Sequence, residues 1–522
     1  MKNKDIIFAV LLFAIIFLCL SPFANISLFN EDYLVLHWNN PQTFADCFRD
    51  FWQRTTGGPY WRPVVWSSYF VTKFFFGMNG LPYHLTNIFV YSALISLAFA
   101  LFRQLGVNKN LAFFGLIFFA LLPARELNFA WVPSRTDLFA AFFIILATIA
   151  FIHSQKNTLL KVLTAFSFLL AILSKEIAYA GVAIPLLLYY FVLKEKFTKK
   201  YIYISTSIGI LFIIISLIYR YFLIGGTPFE TSNYSGVSLI QLPVNFLVYI
   251  PLAFINADIL ENVYISAAKL NFRVLIPIFI ILAYFFRNLF FLIKLKSSRQ
   301  KLFLVGVSWY LLFIGPAIPT FMQWYGFLAY FGLFVAIFQI LDDGKFDRIK
   351  ITLFVIATLF LVFYNFERSM LWKEVGNRTN SYLEDLAQKI PSSADTIYVI
   401  AAPDKINRLN SMKIGFQEAV SYNFGRNIEV ISPIRSEITQ NSSINFSAKN
   451  DTLSIKLNFG RFSIQGNRSF RRSFDENLFF EDNFVSCKIS NSSKQSSYLN
   501  LIFKNLQKPI FLFTDSGFTK IN

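Results

Sequence analysis

A chain of 522 residues with 55% hydrophobic and only 15% charged positions is too apolar for a soluble domain, in which about a quarter of residues carry charge. Its mean hydropathy of +0.51 and its repeated apolar runs identify a polytopic helical membrane protein, because lipid leaves the backbone unsatisfied outside helices. The net charge of +18 would suit a nucleic-acid partner, but the basic residues lie in short loops rather than on one face. No nucleic-acid module is recognisable, so nucleic acid is excluded as a partner.

In chain order the apolar runs predict about eleven spans at the usual length of roughly 20 residues. They are 6–22, 83–102, 110–123, 136–153, 158–173, 177–193, 201–224, 271–293, 302–318, 325–341 and 350–366. Lys2 and Lys4 before the first run also fit a signal peptide, but the residues that follow favour a retained first helix. Loops rich in Lys and Arg alternate between the runs: Arg103 with Lys109, Lys156 with Lys161, 194–200, 294–301 and 342–350. All fall on one side, which the positive-inside rule makes cytoplasmic together with the N-terminus. The stretch 238–260 is apolar enough to span. Counting it would turn 294–301 outward, so a re-entrant or interfacial helix is expected there.

The outer side then receives the first loop (23–82), 122–137, 174–176, 225–270 and everything after 366. The expected domains are a multi-span part, 1–366, and a small soluble part, 367–522. In the latter, alternating stretches at 396–403, 427–434, 453–460 and 499–505 predict strands, and 412–423 predicts a helix. The fold class is therefore a multi-span helical membrane domain with a small mostly-β or α/β domain at its C-terminal end. Cys19 reads as a core residue of the first span. Cys47 and Cys487 share the outer side, which leaves a disulfide open.

The unusual polar residues of the membrane half collect on that outer side. Glu31 and Asp32 follow the first span, and acids at a membrane edge are costly unless solvated, paired or in use. Arg62 lies in YWRPV, and His84 and Asn87 share a face at the head of the second span. Arg125 and Glu126 end the third span, Arg135 and Asp137 begin the fourth, and Lys175 and Glu176 lie between the fifth and sixth. Each also has a structural reading: Arg125–Glu126 and Arg135–Asp137 as ion pairs, Lys175 as a snorkelling lysine, His84 as a helix-end hydrogen-bond partner. The aromatics Trp52, Tyr60, Trp61 and Trp66 suit an interfacial belt by default, or the stacking of sugar faces.

These motifs resemble, in order, those of the GT-C superfamily of polyprenyl-phosphate-sugar-dependent glycosyltransferases, most of all its protein O-mannosyltransferase branch. The carrying residues are NEDY (30–33), YWRPV (60–64), PYHLTN (82–87), LLPARELNFAWVPSRTDL (121–138) and LLAILSKEIA (169–178). Leu122 and Arg125 stand where the family has histidines, and Glu126 lies one position before the family's glutamate, which aligns with Leu127. The branch's tetratricopeptide repeats are absent.

The resemblance implies an inverting transfer of a sugar, mannose in the branch at large, from a polyprenyl-phosphate donor to an acceptor hydroxyl at the outer membrane face. It makes Asp32, with Glu31 second, the general base, and Lys175, Arg135 and Arg62 the ligands of the leaving phosphate. Glu176 and Asp137 would orient those cations or help hold a divalent metal, which the branch generally does without. His84 and Asn87 would bind sugar hydroxyls or position the acid loop. The expected partners are the lipid-linked donor, membrane lipid and a glycan, lipid or protein acceptor; the expected place is a bacterial inner membrane with the soluble domain in the periplasm. A transporter or flippase, a polymerase or ligase of lipid-linked glycans, and a scaffold are the competing readings. The orientation is open to cysteine labelling. In a cysteine-free background, an impermeant maleimide added from outside is expected to label a cysteine placed at Glu418 and to leave one at Lys156 unmodified until the membrane is breached.

Overall fold

The structure is a computed structural model. It describes residues 3–38, 41–53, 60–224, 241–268, 276, 279, 283, 285–290, 292, 298–319, 322–342, 348–449, 452–464, 476–481, 485–491, 496–504, 509–515 and 517–521. The chain forms two compact units. One comprises Met1–Ala24, Pro41–Gly77 and Leu81–Arg368, and the other Asn25–Asn40, Met78–Gly80 and Ser369–Asn522.

Among the described residues, eight helical stretches are long and apolar enough to cross a membrane. They are Asn3–Asn25, Gly80–Leu105, Val132–His153, Glu176–Leu193, Lys199–Leu223, Ser298–Ala317, Gln323–Leu341 and Arg348–Lys389. Of the eleven or so expected spans, the described residues show eight, or nine if a bent pair is counted as one span. That pair replaces the straight span expected at 110–123. Helix Lys109–Leu121 stops at an extended Leu122, and Pro123 starts a new direction 64° away. Proline lacks the N–H that would continue the helix. The span expected at 158–173 is a 15-residue helix, Thr158–Ile172, about 22 Å long at 1.5 Å per residue and short of the roughly 30 Å hydrocarbon core. Most of the span expected at 271–293 lies outside the described residues, as do the turn at 57–59 and the segment 225–240. Within 238–260, helix Gln241–Tyr249 breaks at Pro251 and resumes as Ala257–Ala268, so neither piece has the length of a span.

The helices of the first unit pack through small residues where backbones must approach. A methyl group on Gly306 would lie 2.6 Å from the Gly332 carbonyl, and one on Gly332 would lie 2.6 Å from the Gly306 carbonyl. Lipid offers no hydrophobic drive for helix association, so such close contact carries much of the packing. Both indole rings of the aromatic stretch that fall at 61 and 66 are buried rather than belt-like. Trp61 donates to the Phe51 carbonyl and packs on Tyr219.

The last span does not end at 366. Helix Arg348–Lys389 runs 42 residues, and beyond Phe366 its sequence turns charged while keeping apolar positions such as Trp372, Val375, Leu383 and Leu386 buried. Those residues face the core of the second unit. That unit contains three sheets. β1 (Thr396–Ile400) lies between β12 (Ile510–Thr514) and β4 (Glu429–Ile431), both parallel to it, and β13 (Gly517–Lys520) closes the edge beside β12. After Ala401, whose φ is +60°, the chain leaves this sheet and enters a second one. There β2 (Ala402–Ile406) pairs with β3 (Leu409–Asn410) and β5 (Ile434–Ile438), and β8 (Arg461–Ile464) pairs with β5. The third sheet is antiparallel: β6 (Ser443–Lys449), β7 (Thr452–Asn458), β11 (Ser496–Phe503), β10 (Val485–Asn491) and β9 (Glu476–Glu481) in that order. Its alternating burial, one face in and one out, is the pattern of a half-covered sheet. All five residues of β12 are buried, as a strand covered on both faces requires. The helix expected at 412–423 begins later, at Phe416, after Gly415 takes φ +75°. No disulfide joins Cys47 and Cys487.

Gly306→Leu is expected to clash across the Gly306–Gly332 contact and cost about 1–3 kcal/mol, the range for overpacking. A lowered melting temperature of the detergent-solubilised protein would register it.

Candidate functional site

The membrane unit gathers charge where several helices end. Asp137 lies in the first turn of helix Arg135–His153, where the helix dipole favours a carboxylate. Lys175 occupies an extended position (φ −163°, ψ 144°) between helix Thr158–Ile172 and the turn Glu176–Ala183. Lys175 is extended and Glu176 opens the helical turn, so the two side chains leave the chain differently and find different partners. The Lys175 ammonium donates to both Asp137 oxygens at 2.7 and 2.6 Å. Glu176 accepts from two arginines. Arg62, at the start of helix Pro63–Phe76, reaches it at 2.7 Å, and Arg220, from helix Lys199–Ile224, at 2.9 Å.

Aromatic faces complete the cluster. Lys175 lies 4.3 Å from the Tyr325 ring centre and Arg62 4.3 Å from that of Tyr60. The two pairs are near enough for Lys175 to feel both Arg62 and Glu176. The Lys175 and Asp137 side chains are 7% and 5% exposed and that of Arg220 2%, while Arg62 and Glu176 retain 12% and 18%. The Arg62–Glu176 end is therefore the least buried part of the cluster. The cluster thus brings three cations, Arg62, Lys175 and Arg220, onto the two carboxylates of Asp137 and Glu176.

The other anticipated residues are placed differently. Arg135 does not pair with Asp137. Its guanidinium is fully buried over the Tyr69 ring and donates to Asn87 Oδ1 at 2.9 Å and to the Tyr83 carbonyl at 3.0 Å. Asn87 passes the link on to the Trp131 and Val132 carbonyls. His84 is fully buried between the Arg135 guanidinium and the Ala130 backbone. Arg135 and Asn87 staple the second and fourth spans together through these bonds, whereas the two ring nitrogens of His84 make no geometric hydrogen bond among the described residues. Arg125 does not pair with Glu126. It is buried against the rings of Tyr330 and Phe119 at 4.4 and 5.0 Å and donates to the Ala253 carbonyl at 3.0 Å. Glu126 instead accepts two bonds from Arg368, at 2.6 and 2.9 Å.

The acid motif belongs to the second unit. Asn30 adopts φ +54° and begins helix Glu31–Trp38. Its side-chain oxygen accepts from the Ile414 N–H, and its carbonyl lies so close to Gly415 that a methyl group there would sit 2.7 Å away. Asp32 is 2% exposed, and its carboxylate accepts from the Phe29 N–H at 3.1 Å. Glu31 is more exposed. Tyr33 donates to Asn380. Burial holds the Tyr33 hydroxyl above the ordinary phenol range, despite a hydrogen bond from Asn423, so it stays protonated.

Arg220 and Arg368 were not among the residues singled out from sequence. Arg220 carried a signal, since a lone arginine inside an apolar run is costly unless partnered. Arg368 carried none, because it looked like the first residue of a soluble tail. Among the described residues no three of His, Cys, Asp and Glu converge as a metal site. Asp137 and Glu176 are turned to cations, so these residues do not compose one.

No family model matches the chain, and no curated protein matches it. Among solved structures, 82% of the chain is similar to 86% of ArnT from Cupriavidus metallidurans bound to undecaprenyl phosphate, at 10% identity and a TM-score of 0.45. The same share is similar to the archaeal oligosaccharyltransferase AglB from Archaeoglobus fulgidus in complex with an inhibitory peptide and a dolichol-phosphate. There the identity is 12% and the TM-score 0.44, and the match spans 64% of that chain, just under two thirds. Likeness at this level assigns neither an activity nor a residue.

Arg368→Ala is expected to strand the buried Glu126 carboxylate and cost about 3–5 kcal/mol, the range for breaking one side of a buried pair. Pairing it with Glu126→Gln should restore most of the loss in a thermal melt.

Proposed function

We propose that the protein is an inverting glycosyltransferase that moves a sugar from a polyprenyl-phosphate donor to an acceptor hydroxyl at the outer face of a bacterial inner membrane. The observation that carries this reading is the buried cluster of Arg62, Lys175 and Arg220 about Asp137 and Glu176. Cations gathered from separate parts of the chain, least buried at the Arg62 end, suit a phosphate. A lipid-linked phosphate is an anion delivered at that kind of site. The order of the sequence motifs supports the same class.

In the reaction the acceptor oxygen attacks the anomeric carbon while its proton passes to a carboxylate. The bond from that carbon to the phosphate oxygen breaks, and the electron pair leaves with the phosphate. Attack and departure on opposite faces invert the centre. Asp32 is the proposed base, with Glu31 beside it in sequence. The phosphate gains charge as it leaves, and fixed cations aimed at it lower the barrier. Arg62 and Lys175 take that role, with Arg220 added to the set. In this scheme Arg135 and Asn87 hold helices in place, and His84 lies buried beside Arg135. Asp137 and Glu176 orient the cations, and the scheme contains no metal-dependent step. Mannose as the sugar and a glycan, lipid or protein as acceptor stay with the family resemblance.

Purified protein supplied with polyprenyl-phosphate sugars and a bacterial lipid extract tests the scheme. Wild type is expected to release polyprenyl phosphate. Asp32→Asn should fall by about a hundredfold or more, the order of a lost general base. Arg220→Gln should fall by about tenfold to a hundredfold, toward the low side of the loss for one charge-stabilising group. Donor binding without turnover in wild type would favour a transporter instead.

A further inference from the structure

The second unit contains a recess of about 100 Å³ that the scheme above does not use. Arg378 and Tyr382 line it from one face of the long helix, Gln440 and Ser442 from the turn after β5, and Phe513 and Asp515 from the end of β12. Tyr382 stands edge-on to the buried Phe513 ring, 5.0 Å between centres, so the aromatic wall is rigid.

Each polar group around that wall is held by a bond that leaves another part of it for the recess. Gln440 donates its amide N–H groups to both Glu374 oxygens at 3.1 Å, which leaves its carbonyl as an acceptor. Asp515 accepts the Ile444 N–H through one oxygen at 2.7 Å and keeps the second. Arg378 approaches Glu374 through Nε at 3.5 Å and keeps its terminal N–H groups. The Tyr382 hydroxyl adds a group that both donates and accepts. The edge of the Tyr382 ring beside several donors and acceptors makes a mostly polar recess, which suits a small ligand rich in hydroxyls. Arg378 is outnumbered by Glu374 and Asp515, so the local charge is unfavourable to an anion.

We infer that this recess binds a neutral monosaccharide unit of a glycan. The inference deepens the glycosyltransferase reading, and rests on it, only in taking that sugar for part of the acceptor. Full-length protein in lipid nanodiscs tests it by saturation-transfer NMR. The probes are methyl glycosides of mannose, galactose, rhamnose, N-acetylglucosamine and glucuronic acid at roughly 10 mM, above a millimolar Kd. At least one neutral glycoside is expected to show transfer. Gln440→Ala and Arg378→Ala, both at the rim, should each weaken it about tenfold with unchanged melting temperature.

The inference is overturned if no neutral glycoside shows transfer, if both variants bind as wild type does, or if the glucuronide is preferred. Donor turnover measured on the same preparation separates the two claims. Turnover without glycoside binding removes the recess alone. Glycoside binding without turnover keeps the recess and removes the enzyme.

Discussion

A charge placed among membrane helices has to be answered by another charge or by a fixed dipole, and that demand organises the first unit. Glu176 is held by Arg62 and Arg220, and Lys175 by Asp137. These contacts draw together four separated parts of the chain: the end of the first loop, the fourth span, the break before the sixth and the end of the seventh. Removing Lys175 or Asp137 would leave its partner's charge in a low-dielectric setting, at a cost far above that of a surface pair. The same demand explains Arg125, whose guanidinium lies against aromatic rings and backbone carbonyls, and Arg135, which joins two spans through Asn87.

Breaks in the helices are what bring these groups to bear. A continuous helix would place Lys175 and Glu176 about 100° apart on one cylinder. The extended backbone at Lys175 instead sends them to opposite partners. Pro123 ends one helix and Leu122 turns the chain, so Arg125 and Glu126 project from a short reoriented segment and meet unrelated partners. Adjacent opposite charges in sequence suggested ion pairs at both 125–126 and 135–137. Neighbouring residues on a helical turn diverge, and each found a better-aligned partner elsewhere.

The second unit follows different physics. Its antiparallel sheet is exposed on one side, so alternation decides burial, and β7, β10 and β11 show it plainly. The acid motif is anchored there by Asn30, whose left-handed backbone and bond to Ile414 require Gly415 opposite. Asp32 thereby sits in a rigid setting, its carboxylate already holding the Phe29 amide. A general base needs such placement, and the same bond would equally serve to start the helix.

The amino-acid sequence by itself determined the class of molecule, most of the spans, a few of the tail's strands and the polar residues worth asking about. Hydropathy and alternation are local properties, and lipid or a half-buried sheet leaves a local pattern few ways to be satisfied. The tertiary structure alone decided who pairs with whom. Arg220 for Glu176 and Arg368 for Glu126 are 44 and 242 residues away from their partners, and nothing local announces such distances. It also decided that the last helix runs on to Lys389 and that Asn25–Asn40 folds with the tail. In both cases the buried surface that settles the matter comes from residues hundreds of positions apart, and a contact of that kind leaves no periodic trace in the chain.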